Sequence, residues 1–127
     1  MKLKNKDILN FINADVASKK LPVKLGYALS VNLAAVEPAF KAYNDQRTKL
    51  VEECAKKDEN GKPLIEDNNY IFEDISKWNE SILELLEAEA DVNVSTVSLD
   101  ILEKCDDPAF DKLSVIELAS IKFMIAE

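Results

Sequence analysis

Apolar residues recur at helical spacing over most of this chain and alternate at strand spacing only in short stretches. Ile8, Ile12 and Val16 lie four apart, with Leu9 and Phe11 widening the stripe, and predict a first helix over residues 5–18. Leu21-Pro22 ends it, because the residue before proline is pushed out of the α region. Leu25, Leu29, Leu33, Val36, Phe40, Tyr43, Leu50 and Cys54 follow in steps of three, four and seven and predict a second helix over 22–57. At 1.5 Å per residue such a helix is about 54 Å long, whereas a compact chain of this size has a radius of gyration of about 14 Å. The helix must therefore bend at Pro38 or project beyond the core.

Asp58-Glu59-Asn60-Gly61-Lys62 is the one breaker cluster of the chain. Beyond it, Pro63-Leu64-Ile65 and Tyr70-Ile71-Phe72 read as a small β-hairpin turning at Asn68-Asn69, since asparagine tolerates the positive φ of tight hairpin turns. Ile75, Trp78, Ile82 and Leu85 place a helix at 74–90. Val92 and Val94 alternate, and Thr96 and Val97 are β-branched, which predicts a short strand within 91–97. Residues 99–105 make one or two helical turns, and Asp106-Asp107-Pro108 is a loop. Ser114 and Glu117 form a capping box that opens a last helix running to residue 126. The expected fold is a single, mainly α domain over 1–127: a long helix in a bundle or antiparallel helical hairpin, with a small β-hairpin and a short strand.

Composition narrows the chemistry. The 127 residues include no histidine, which excludes Cys/His zinc sites and every Ser-His or Cys-His nucleophile pair. Cys54 and Cys105 are far apart and read as buried free thiols. No signal-peptide core and no membrane-length apolar run is present, so a cytoplasmic location is expected and a membrane is not. The net charge of −8 is uneven. Residues 1–50 carry nine Lys/Arg against four Asp/Glu, and residues 51–127 carry seven against twenty. Arg47 is the single arginine among sixteen cations, which disfavours direct nucleic-acid binding. Lys2, Lys4, Lys6, Lys19, Lys20 and Lys24 are read as a solvated face or a contact with the acidic half.

Three constellations could carry chemistry. Asp58 to Gly61 imitates part of a calcium loop, but Lys56 would occupy its first ligand position, so a solvated turn is the reading. Glu80, Glu84 and Glu87 line one helical face; a solvated acidic surface is favoured over a divalent-metal site, which in helical bundles usually includes histidine. No cofactor is expected. Pairing residue 57 with 74 places Cys54 near Trp78 and Leu50 near Ile82, and predicts an ion pair between Arg47 and Glu84 or Glu87. The last helix is apolar nearly all round, through Leu118, Ile121, Phe123, Met124 and Ile125. Another chain is therefore expected to cover part of it, as a homodimer or docking surface led by Phe123 and Met124. The alternative is that the first two helices wrap it within one chain.

Two segments carry a resemblance. One is Leu21-Pro22-Val23-Lys24-Leu25-Gly26-Tyr27-Ala28-Leu29 with Asn32-Leu33, continuing through Val36-Glu37-Pro38-Ala39-Phe40-Lys41-Ala42-Tyr43 and Arg47-Thr48-Lys49-Leu50. The other is Leu113-Ser114-Val115-Ile116-Glu117-Leu118 with Ile121-Lys122-Phe123-Met124-Ile125-Ala126-Glu127. With the opening Lys-Leu-Lys-Asn-Lys-Asp and the Asp58–Gly61 turn, about half the chain resembles a family of small uncharacterised proteins encoded by tailed phages and prophages of Gram-positive bacteria. The resemblance implies no enzymatic activity, cofactor or catalytic residue. It implies a tail- or assembly-associated role, in the cytoplasm of a bacterial host cell or in the phage particle, because genes of the family lie near tail and lysis genes. The expected function is non-enzymatic protein interaction with a phage or host partner. The alternatives are an acidic, nucleic-acid-mimicking inhibitor of a host defence system and a carboxylate-based metal protein.

Overall fold

The computed structural model describes residues 1–126. In chain order the elements are β1 (Lys2–Lys4), α1 (Asn5–Ala14), α2 (Val23–Cys54), β2 (Ile65–Glu66), β3 (Asn69–Tyr70), α3 (Ile75–Glu87), β4 (Glu89–Asp91), β5 (Val97–Ser98), α4 (Asp100–Lys104), α5 (Val115–Ile121) and β6 (Ile125–Ala126). The architecture is mainly α with small β elements, as the periodicity predicts. Its sheets are two-stranded: β1 and β2 pair antiparallel with β4 and β3, and β5 runs parallel to β6.

Helix α1 buries Ile8 and Phe11 and ends at Ala14, four residues early. Asp15 turns left-handed there (φ 50°) and returns its N–H to the Ile12 carbonyl, and a 3-10 turn at Val16–Ser18 still delivers Val16 to the core. Helix α2 continues through Pro38 for 32 residues, about 48 Å at 1.5 Å per residue. Its length is accommodated because its halves have different companions. Leu25, Ala28, Leu29 and Val36 join Leu3, Ile8, Phe11, Val92, Ile101, Ile121 and Met124 in the core. Tyr43, Val51 and Cys54 are buried in the distal half, where α3 returns along it.

The hairpin turns one residue earlier than predicted. Asp67 and Asn68 hold φ of 51° and 65°, two consecutive positive values that match the twist of paired strands. An isolated bridge between Ala55 and Phe72, and the Glu73 and Asp74 amides donating to the Cys54 carbonyl, then set α3 against α2. Trp78 stacks on Phe72 with ring centroids 4.5 Å apart. Across the two antiparallel helices Lys77 reaches Glu53, with Nζ 3.3 Å from Oε2.

Two further predicted helices, α3 and α5, stop short ahead of a strand. Helix α3 ends at Glu87, and residues 89–91 pair with β1, an element the hydrophobic pattern does not reveal. The predicted capping box forms at α5, where Ser114 Oγ accepts from the Glu117 amide and Glu117 Oε1 accepts from that of Ser114. The helix then ends at Ile121, a 3-10 turn covers Lys122–Met124, and β6 lies against β5. The connection between β4 and β5 is fastened by buried Asn32. Its Nδ2 donates to the Ser95 carbonyl at 2.8 Å, and its Oδ1 accepts from the Ser95 amide at 2.7 Å.

Candidate interaction surface

Shortening the last helix redistributes its apolar residues. Ile121 and Met124 are fully buried, and Met124 Sδ receives a second hydrogen bond from Asn32 Nδ2. Phe123 is half-buried and meets Phe11 edge-on, with centroids 5.0 Å apart and planes at 86°. Ile125 is half-buried opposite Val97 in the β5–β6 pair. Met124 is therefore not a contact for another chain: the 3-10 turn directs it inward, where Asn32 of α2 meets it, while Phe123 keeps part of its ring in the open groove between α1 and α5. Of the five residues expected to form an interface, Leu118 alone stands at the surface, 36% exposed.

The solvent-facing apolar residues of α5 lie at its other end. Val115 and Ile116 are 82% and 79% exposed. Ile116 forms one wall of an open groove of about 880 Å³ between α1 and α5. Asp7, Asn10 and Asn13 line it from α1, at steps of three that place them on one helical stripe, while Ala119 and Phe123 supply apolar surface and Lys122 a cation. The helices are antiparallel here, because Phe123 meets Phe11 while Glu117 meets Lys19 beyond the end of α1. The sequence signal for this surface was the near-continuous apolar character of α5. It could not tell which side the chain itself would cover.

Electrostatics join the two halves of the chain. Lys4 and Lys6 place their Nζ atoms 2.7 and 2.8 Å from separate oxygens of Glu87. The hydrogen bonds from these lysines hold the Glu87 carboxyl down at about 2, and the same contact raises the Lys4 ammonium. Lys19 lies 3.2 Å from Glu117, whose carboxyl is lowered first by the Ser114 backbone N–H. Lys2, Lys20 and Lys24 are exposed, so the basic cluster divides between contacts with the acidic half and solvent.

The predicted acidic face divides too. Glu80 and Glu84 are exposed on α3, whereas Glu87 is engaged by the two lysines. Among the described residues Arg47 forms no ion pair with Glu84 or Glu87, and its guanidinium carbon lies 5.7 Å from the Trp78 ring centroid. The helix register that the hairpin imposes explains the substitution of an aromatic face for a carboxylate. No group of three or more acidic or cysteine side chains among the described residues is gathered to hold a metal ion. Asp58 instead spends its Oδ1 on the amides of Asn60 and Lys62 in the Gly61 turn. Cys54 and Cys105 are buried free thiols, and burial pushes the Cys105 thiol up.

Taken together, fold and surface define a mainly α chain with a partly apolar, partly polar groove on one edge. Among the described residues no helix is long and apolar enough to cross a membrane. The chain matches no protein-family model, and searches of curated proteins and of solved structures matched nothing.

Proposed function

We propose that this chain is a non-enzymatic interaction protein of a tailed phage or prophage, acting in tail or particle assembly in the bacterial cytoplasm or in the particle itself. The observation that carries the reading is the pair of apolar side chains, Val115 and Ile116, held in solvent by a capped helix beside the α1–α5 groove. Scattered apolar residues are ordinary on a surface, but neighbours beside a groove form a patch whose covering releases water. The resemblance of its two segments to phage-encoded proteins supplies the biological setting.

Mass spectrometry of purified particles and assembly intermediates tests the reading, using the tagged wild type and Ile116→Asp. The wild type is expected in one of those fractions, and the variant, with an unchanged circular dichroism spectrum, is expected to be depleted from it. Absence of the wild type from both fractions overturns the proposal. The inhibitor reading draws on exposed Glu80 and Glu84, and ranks second because Lys4 and Lys6 cover Glu87 at the end of the same helix.

A further inference from the structure

The segment Ala88-Glu89-Ala90-Asp91 has the composition of a helix and the conformation of a strand. Alanine is the strongest helix former and glutamate a good one, and both are depleted in strands. No Gly, Pro or β-branched residue separates these four positions from α3, and the helical periodicity runs on through residue 90. Yet Ala88 is extended (φ −62°, ψ 140°), and 89–91 form β4.

What stops the helix is a strap formed by residues 1–6. Lys2, Leu3 and Lys4 pair with Asp91, Ala90 and Glu89, and Met1 and Val92 exchange backbone hydrogen bonds at 2.8 and 3.1 Å. The Asn5 amide donates to the Ala88 carbonyl, and Asn5 Nδ2 donates to that of Leu85. Lys4 and Lys6 grip Glu87 from outside. The strap therefore takes up carbonyls at the end of α3 and offers the next residues a ladder in place of another helical turn.

We infer that residues 88–91 are a strand-to-helix switch, held as a strand by the strap at residues 1–6 and turning helical as a continuation of α3 when the strap is released. The two states exclude each other by length. From Glu87 to Ala90 the chain spans about 10 Å as a strand and about 4.5 Å as a helix. Val92 is buried in the core, and Ser95 is clamped by Asn32, so the segment beyond cannot follow freely. Helix growth must draw α3 along by about one turn or pull Val92 from the core. Helix α3 has no fully buried side chain to anchor it against such a shift. Local preference and tertiary pairing thus oppose each other at this junction, the condition under which two arrangements of one segment compete.

NMR of the full chain tests this through the Cα secondary shifts of residues 88–90, which report the population of each state. In the wild type they take strand values, with cross-strand contacts between Leu3 and Ala90. Lys4→Glu with Lys6→Glu turns the grip on Glu87 into repulsion and leaves the core residues untouched. The shifts are expected to move to helical values and the cross-strand contacts to fade. Adding Ala90→Val, which favours strand over helix, is expected to restore strand values. Unchanged strand shifts in the double variant, or coil-like shifts at 88–90 while the core remains folded, overturn the inference.

Discussion

At the scale of single residues, two polar side chains have the clearest consequences. Buried Asn32 uses its amide to satisfy both the N–H and the C=O of half-buried Ser95. Asn32→Ala leaves both backbone groups and a small void, and is expected to lower stability by about 2–4 kcal/mol in urea unfolding. Glu87 is the second case. Its carboxyl sits at about 2 in the folded chain against an ordinary 4.5, so its contribution is complete above pH 4.5 and fades as pH falls toward 2. The urea midpoints of wild type and Glu87→Gln should therefore converge over that interval. Because the contact is exposed, added salt should narrow the difference at neutral pH. The sequence marked Glu87 as one of three acids on a helical face. It contained no sign that two lysines more than eighty positions away would meet it.

Among the elements, α1 and the first half of α2 supply core residues, whereas α3 has no fully buried side chain. Hydrogen exchange should consequently be faster along α3 than along α1, since local opening there exposes little apolar surface. Arg47 and Trp78 tie α3 to α2 through a cation–π contact. Arg47→Ala is expected to cost about 0.5–1 kcal/mol in equilibrium unfolding, and a cost near zero would remove this contact from the helix pairing. Helix spans were legible because periodicity is local. The register between α2 and α3 was not, because the Asp67-Asn68 turn and the return of Phe72 to Ala55 set it. One residue of difference in the turn moves every later residue along its partner.

For the whole molecule, the inner and outer apolar residues of the C-terminal segment should respond oppositely to charge. Phe123→Asp breaks the edge-on contact with Phe11 and sets a carboxylate at the edge of the core, and is expected to lower the thermal midpoint by about ten degrees. Ile116→Asp changes a side chain already in solvent and is expected to leave the thermal midpoint within a few degrees of the wild type. Circular dichroism melts of both variants check the assignment, and similar midpoints would contradict the division of this segment into core and surface.

The amino-acid order alone determined the mainly α class, the long second helix, the hairpin, the capping box at Ser114 and the exclusion of histidine chemistry. Each follows from spacing, turn preference or residue type within a few positions of itself. Tertiary structure decided the existence of β1, the ends of α3 and α5, the partner of Arg47 and which side of α5 faces water. A strand of three residues has no stability without the chain it pairs with. A helix with no breaker at its end stops only where another segment offers its backbone a better partner. Met124 and Ile116 are both apolar residues of one short segment, and what separates them is the path of the chain between Ile121 and Ile125, turned inward by pairing with β5.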